Sequence, residues 1–246
     1  MTLPKRYWLT IVVYVFIAQL SALIGAPLVY YLIPGITEES AAIYWLVFSN
    51  LIAVILILKL LQPDMRQVSM RDARSGATVG GIIKWSIGGF FLALFSQIIA
   101  NIITLEFIGI DEPSENTTAI MELVEENILL IIVVCLFAPI LEEIIFRKII
   151  FGELHKRMNF FIAAILSSLT FAVLHWDFDF ILSYIAMGLV FAYLYVKTKR
   201  ILVPIIVHAL MNTYVVVINL VVDIEDLERK LQELENALST ILGGWL

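Results

Sequence analysis

Apolar runs divide the chain into seven segments, residues 7–33, 41–61, 82–107, 128–155, 159–175, 180–196 and 201–222, with short polar stretches between them. A helix needs about 20 apolar residues to cross the hydrocarbon core of a bilayer, and most of these runs reach that length. None alternates apolar and polar positions with a period of two, so the segments are expected to be helices and not strands of a barrel. The fifth and sixth runs are short. The expected fold is therefore all-α, a polytopic transmembrane helix bundle of about seven spans, with six and eight as the limits.

The connections alternate in charge. Lys5, Arg6, Lys59, Arg66, Arg71, Arg74, Lys84, Lys156, Arg157, Lys197, Lys199 and Arg200 fall at one set of helix ends. Opposite them lie Glu38, Glu39, the acidic stretch 111–126, Asp177 and Asp179. Basic residues favour the cytoplasmic side, so residues 62–81, 155–159 and 197–200 are expected there, with the N-terminus inside. Between residues 113 and 127, Ile120, Leu123 and Val124 stand at helical spacing against Glu122, Glu125 and Glu126, the pattern of a short amphipathic helix at the membrane surface. Asn116-Thr117-Thr118 matches a glycosylation sequon, a pattern frequent by chance. The tail repeats Ile224, Leu227, Leu231, Leu234, Leu238 and Ile241 at spacings of three and four, which suits an interfacial helix better than a coiled coil. Three regions follow: 1–126, N-terminal helices with the amphipathic helix; 127–222, the part that carries the chemistry; and 223–246, the amphipathic tail.

Composition agrees with this pattern. Of 246 residues, 61% are hydrophobic and 15% charged, with a mean hydropathy of +0.95. That places the chain among integral membrane proteins and gives no reason to expect a nucleic-acid partner. The single cysteine, Cys135, rules out an intrachain disulfide and a cysteine-based metal site. Lys5 and Arg6 precede an apolar run too long for a signal-peptide core, so the first segment is expected to be retained.

Polar residues inside the apolar runs are few, and ionisable groups within a span usually face a protein interior or a watery cavity. Glu142 and Glu143 interrupt the fourth run, followed by Arg147. Glu143 and Arg147 are four residues apart on a helix and are expected to pair. Glu142 lies about 100° further round, with no neutralising partner in its own segment, as suits a general acid or base. Pro139 removes a backbone hydrogen bond just before it and is expected to kink the helix. Of the three histidines, His155 falls in a basic turn, whereas His175 and His208 stand in apolar surroundings. If runs four and five form a hairpin turning at 155–159, Glu142 and His175 lie level, each about 24 Å from the turn, and Phe146 pairs with Phe171. His208 and Asn212 share a face of the last run, somewhat shallower. A lone buried His or Asn is often only an interhelical hydrogen-bonding group. Glu142, His175, His208 and Asn212 together, four polar positions in three runs with Glu143 beside the first, point to a site.

Glu142-Glu143-Ile-Ile-Phe146-Arg147, Phe171-Ala-Val-Leu-His175 and His208-Ala-Leu-Met-Asn212 resemble, in order, the three motifs of the CPBP intramembrane endopeptidases (CAAX proteases and bacteriocin-processing enzymes, also called Abi), with a helix containing Gly188 before the last. The resemblance covers about residues 127–220 and implies peptide-bond hydrolysis inside the bilayer, on a membrane-associated peptide or protein. It further implies that Glu142 and His175 activate water, that His208 and Asn212 donate hydrogen bonds to the oxyanion, and that Glu143 and Arg147 support Glu142. No cofactor is favoured. Zinc held by Glu142, His175 and His208 is the alternative, weakened by the lack of His-Glu-x-x-His and by Asn212, an unusual zinc ligand. A non-catalytic peptide-binding or bacteriocin-immunity protein, and a small proton-coupled transporter, are the competing functions.

Overall fold

The computed structural model describes residues 3–66, 76–110 and 113–221. The tail helix expected over 223–246 and most of the basic connection 62–81 lie outside the described residues. Nine helices and no strand occur among the described residues. In chain order they are α1 (Lys5–Gln19), α2 (Ala22–Leu32), α3 (Glu38–Arg66), α4 (Val79–Ile108), α5 (Glu115–Glu126), α6 (residues 130–155), α7 (Phe160–Val173), α8 (Ile181–Thr198) and α9 (Leu202–Val221).

Every apolar run is helical, but they are not equivalent. Within α3, α4, α8 and α9 the segments Glu38–Asp64, Val79–Ile108, Ile181–Thr198 and Leu202–Val221 are long and apolar enough to cross a membrane; α1 with α2 makes a fifth if the bent pair is one span, and α7 is shorter. The first run, expected to be one continuous helix, is bent by 40° between α1 and α2. The reason lies in α3. The Ser21 hydroxyl donates to the Ile17 carbonyl at 2.6 Å and accepts from the Trp45 indole at 2.9 Å. Gly25 lies so close that a Cβ there would fall 1.8 Å from the Trp45 ring. The chain bends to seat that indole.

Helix α6 is wound unevenly. α-Helical turns at Leu130–Ile132, Ala138–Glu143 and Gly152–His155 alternate with the wider π-helical turns Val133–Phe137 and Ile144–Phe151. It is the centre of the bundle, packed against α7 and α9 and touching α3 and α8. Leu141, Ile144, Ile145 and Phe146 form its core with Ile57 of α3 and Phe171 of α7. The hairpin register read from the sequence holds. The Phe146 and Phe171 rings meet edge to face at 5.2 Å, and the Ser167 hydroxyl donates to the Phe146 carbonyl at 2.7 Å.

A second core joins Ala93 of α4 to Phe191 and Leu194 of α8 and to Val203, Val207 and Met211 of α9. The buried side of α4 is small, with Ser86, Gly89, Ala93 and Ala100, so neighbouring backbones approach closely. Its other side exposes Ile83, Ile87, Phe91, Phe95 and Ile99, as a lipid-facing surface should. Helix α5 is the amphipathic helix expected from the sequence. Ser114 caps it by accepting from the Thr117 N–H, and Met121 and Val124 pack on Ile43, Leu130, Val133 and Val216.

Candidate active site

Glu142 and Glu143 close the α-helical stretch of α6, where the π-helical turn begins. Glu143 is fully buried, and its Oε1 lies 3.2 Å from Arg147 Nη1, the pair expected from the spacing. The guanidinium lies over the rings of Phe171 at 4.3 Å and Phe191 at 5.1 Å. Those ring faces stabilise the buried cation beside its ion pair with Glu143.

The same Glu143 oxygen meets His208 from α9, whose Nδ1 lies 2.9 Å away. A carboxylate only accepts, so Nδ1 carries the proton and donates it. The ring stacks on Phe191, with centroids 5.1 Å apart and planes at 24°. Its Nε2 points towards Glu142, 3.7 Å from Oε2 and beyond hydrogen-bonding distance. His208 is therefore as deep as the two glutamates, not shallower; α9 begins at Leu202 with Pro204 in its first turn, where proline is tolerated. Glu143, expected to serve Arg147 and to orient Glu142, also fixes His208. That link joins distant parts of the chain, and no spacing rule could have found it.

His175 follows the last turn of α7. Its Nδ1 lies 2.8 Å from the Phe171 carbonyl, so this ring also donates from Nδ1 and presents a lone pair at Nε2. Tyr184 of α8 stacks on it at 4.3 Å and Phe171 abuts it at 4.5 Å. The chain then turns through Trp176, left-handed at φ 56°. Asp177 comes next and is buried: it accepts from the Ser114 hydroxyl at 2.5 Å and from the Tyr184 hydroxyl at 3.3 Å. Tyr184 in turn accepts from Asn116 at 3.1 Å. The residues after His175 are thus tied to the head of α5. From sequence, Asp177 read only as one of the acids opposite the basic turns, and Asn116 as part of a chance sequon.

Asn212 donates from Nδ2 to the Val134 carbonyl at 2.8 Å. That carbonyl is available because of Pro139. In the π-helical turn the Ala138 N–H bonds five residues back, to Val133. The next donor in that register would be residue 139, and proline has no N–H. Pro139 thereby leaves an acceptor for Asn212. The second amide N–H of Asn212 remains.

Glu142, His175, His208 and Asn212 line one cavity of about 740 Å³, which Tyr14, Met187 and the head of α5 also border. Glu143 and Arg147 are sealed behind its wall, and His155 is exposed and stacked on Phe151 at 5.2 Å, away from the cavity. Among the described residues no three His, Cys, Asp or Glu side chains converge closely enough to hold a metal ion. Glu142, His175 and His208 share the cavity.

An all-helical membrane bundle that keeps acid, imidazole and carboxamide groups around one cavity has the groups that a membrane-embedded hydrolase needs. Residues 124–214 match the family model described as Rce1-like, type II CAAX prenyl endopeptidases. The chain is 42% identical over 248 residues to a protein named as membrane peptidase YdiL of Bacillus subtilis (strain 168), covering 98% of each. It is 35% identical over 228 residues to the membrane-embedded CAAX protease MroQ of Staphylococcus aureus (strain USA300), covering 87% of this chain and 90% of that protein. No solved structure matches the chain. This chain belongs to the Rce1-like family of CAAX endopeptidases. It is an integral membrane protein of a bacterial membrane and a protease, whose substrate is a peptide or protein in the membrane.

Proposed function

We propose that this chain cuts peptide bonds within the bilayer by direct attack of water, with Glu142 as general base and no metal. Glu142 takes the proton of the attacking water, and His175, fixed by the Phe171 carbonyl and Tyr184, assists from its free Nε2. The second amide N–H of Asn212 and the Nε2 proton of His208 stabilise the oxyanion. Donation from Nε2 requires His208 to carry both ring protons, and Glu143, held at Nδ1, supplies the countercharge. The proton on Glu142 then passes to the leaving amine. One observation carries this reading: the four proposed catalytic side chains line a single cavity, while Glu143 and Arg147 stand behind it.

The name of one relative, a CAAX protease, supports CAAX-type proteins as one substrate class; bacteriocin and signal-peptide processing are the alternatives. The N-terminus is assigned to the cytoplasm. In support, the Arg6–Asp64 ion pair at 2.5 Å and the Ala77 N–H bond to the Thr198 carbonyl at 2.9 Å draw basic helix ends together.

The test is full-length protein in liposomes, supplied with membrane peptides and read by mass spectrometry. Wild type should generate new peptide termini, and Glu142→Gln, which keeps shape and removes the base, should lower the rate about 10²–10⁴-fold. Binding that survives in both proteins without any cleavage would leave peptide capture as the function.

A further inference from the structure

His175 lies beyond the end of α7 at Val173, and Trp176 after it is left-handed, so the regular helix no longer sets where the imidazole stands. Its own segment holds the ring through Nδ1 and the Phe171 carbonyl, 2.8 Å apart, with the Phe171 ring against it. One hydrogen bond fixes a point and not a plane. The plane comes from Tyr184 in the first turn of α8, whose ring stacks on the imidazole with centroids 4.3 Å apart and planes at 29°.

Tyr184 is itself anchored at its far end. Its hydroxyl donates to Asp177 Oδ2 at 3.3 Å and accepts from Asn116 Nδ2 at 3.1 Å. The same Asp177 oxygen accepts from the Ser114 hydroxyl at 2.5 Å, and that hydroxyl accepts from the Thr117 N–H at 3.1 Å, capping α5. Asp177 is buried, so its carboxylate takes these donors in place of water. Ser114 and Asn116 at the head of α5, Asp177 in the loop and Tyr184 on α8 thus form one connected set. All four stand outside the three sequence motifs, and Ser114 and Asn116 precede the residues matched to the family model. A set that only fastened α5 to α8 would have no need to end on an imidazole. This one does, and Ser114, Asn116 and Tyr184 line the cavity beside His175.

We propose that Asp177 and Tyr184 are positioning residues for the reaction: through them the docked head of α5 sets the plane of the His175 imidazole, and with it the direction of Nε2. The proposal rests on the hydrolytic reading above and adds to it a contribution from α5. Docking of that amphipathic helix then does more than cover apolar surface, because the site is fully assembled only while Ser114 and Asn116 hold Asp177 and Tyr184.

The test uses full-length protein in liposomes and a synthetic membrane peptide that wild type cuts and Glu142→Gln does not. Tyr184→Phe keeps the stacked ring and removes the hydroxyl; it should lower kcat on the order of 10–10²-fold while KM and melting temperature hold. Asp177→Ala should lower kcat by a similar factor. Asp177→Asn keeps an oxygen that accepts from both hydroxyls and should restore most of the rate. Because either change breaks the same link, Asp177→Ala combined with Tyr184→Phe should be no slower than the slower single variant. Hydrogen exchange gives a readout independent of turnover: residues 113–118 and 174–178 should exchange faster together in both single variants. A wild-type kcat in Tyr184→Phe, losses that multiply in the double variant, an Asp177→Asn as slow as Asp177→Ala, or unchanged exchange at 174–178 overturns the proposal. Absence of any cleavage sensitive to Glu142→Gln would instead overturn the hydrolytic reading, and the proposal with it.

Discussion

Arg147 is the residue on which the site's stability and its chemistry meet. Its guanidinium lies over the Phe171 and Phe191 rings and shares the Glu143 carboxylate with His208. Arg147→Ala removes the cation and leaves a fully buried carboxylate facing a void. Breaking a buried pair from one side costs about 3–5 kcal/mol, so this variant should melt well below wild type in detergent and lose activity. Glu142 faces the cavity and holds no ion pair within hydrogen-bonding distance, so Glu142→Gln should melt like wild type. Combining Glu143→Gln with Arg147→Met removes both charges and should recover part of the stability without recovering the rate, because His208 loses its countercharge. Thermal unfolding of the three proteins in one detergent checks this. Early melting of Glu142→Gln beside a wild-type-like Arg147→Ala would reverse the roles given to the two glutamates.

Between helices, Gly188 of α8 packs tightly on Ser168 of α7. A Cβ at Gly188 would stand 2.6 Å from the Ser168 hydroxyl oxygen and 3.1 Å from the Ser168 Cα, so backbone as well as side chain would have to move. Gly188→Ala should destabilise the protein by about 1–3 kcal/mol and shift α7, with His175 at its end, away from Glu142. Adding Ser168→Gly makes room and should restore both melting temperature and activity; if the double variant stays as weak as the single one, the contact is not what Gly188 provides. This helix pair also marks the limit of what the sequence makes legible. The α6–α7 hairpin was readable because a turn fixes the level of residues on either side, which placed Phe146 opposite Phe171. The motif residues were readable because charge and imidazole are rare in apolar runs. The bend between α1 and α2 was not, since it depends on Trp45 of another helix packing on Gly25. Nor was the bond from His208 to Glu143, because the depth of α9 follows from packing and not from counting residues from a turn.

At the scale of the whole molecule, the two ends of the bundle differ. The basic turns lie at one end, and the head of α5, tied to Asp177 and Tyr184, borders the cavity. With the N-terminus in the cytoplasm, the basic turn at Lys156 should face the cytoplasm and α5 the opposite side. Single cysteines at the exposed positions Lys156 and Ala119, in a background carrying Cys135→Ser, test this with a membrane-impermeant thiol reagent on intact cells. Ala119→Cys should label at once and Lys156→Cys only after permeabilisation. Labelling of both from outside would overturn the orientation.

Pro139 carries an unusual consequence. Replacing a proline inside a helix with alanine ordinarily stabilises a protein, since a missing backbone hydrogen bond is restored. Here the restored N–H would compete with Asn212 for the Val134 carbonyl and loosen the amide proposed to hold the oxyanion. Pro139→Ala should therefore melt at or above the wild-type temperature while its kcat falls on the order of 10²-fold. A wild-type kcat in that variant would show that Asn212 is positioned by something else. An irregular helix, on this account, exchanges durability for turnover, and a chain selected only for thermal endurance would be expected to lose the proline first.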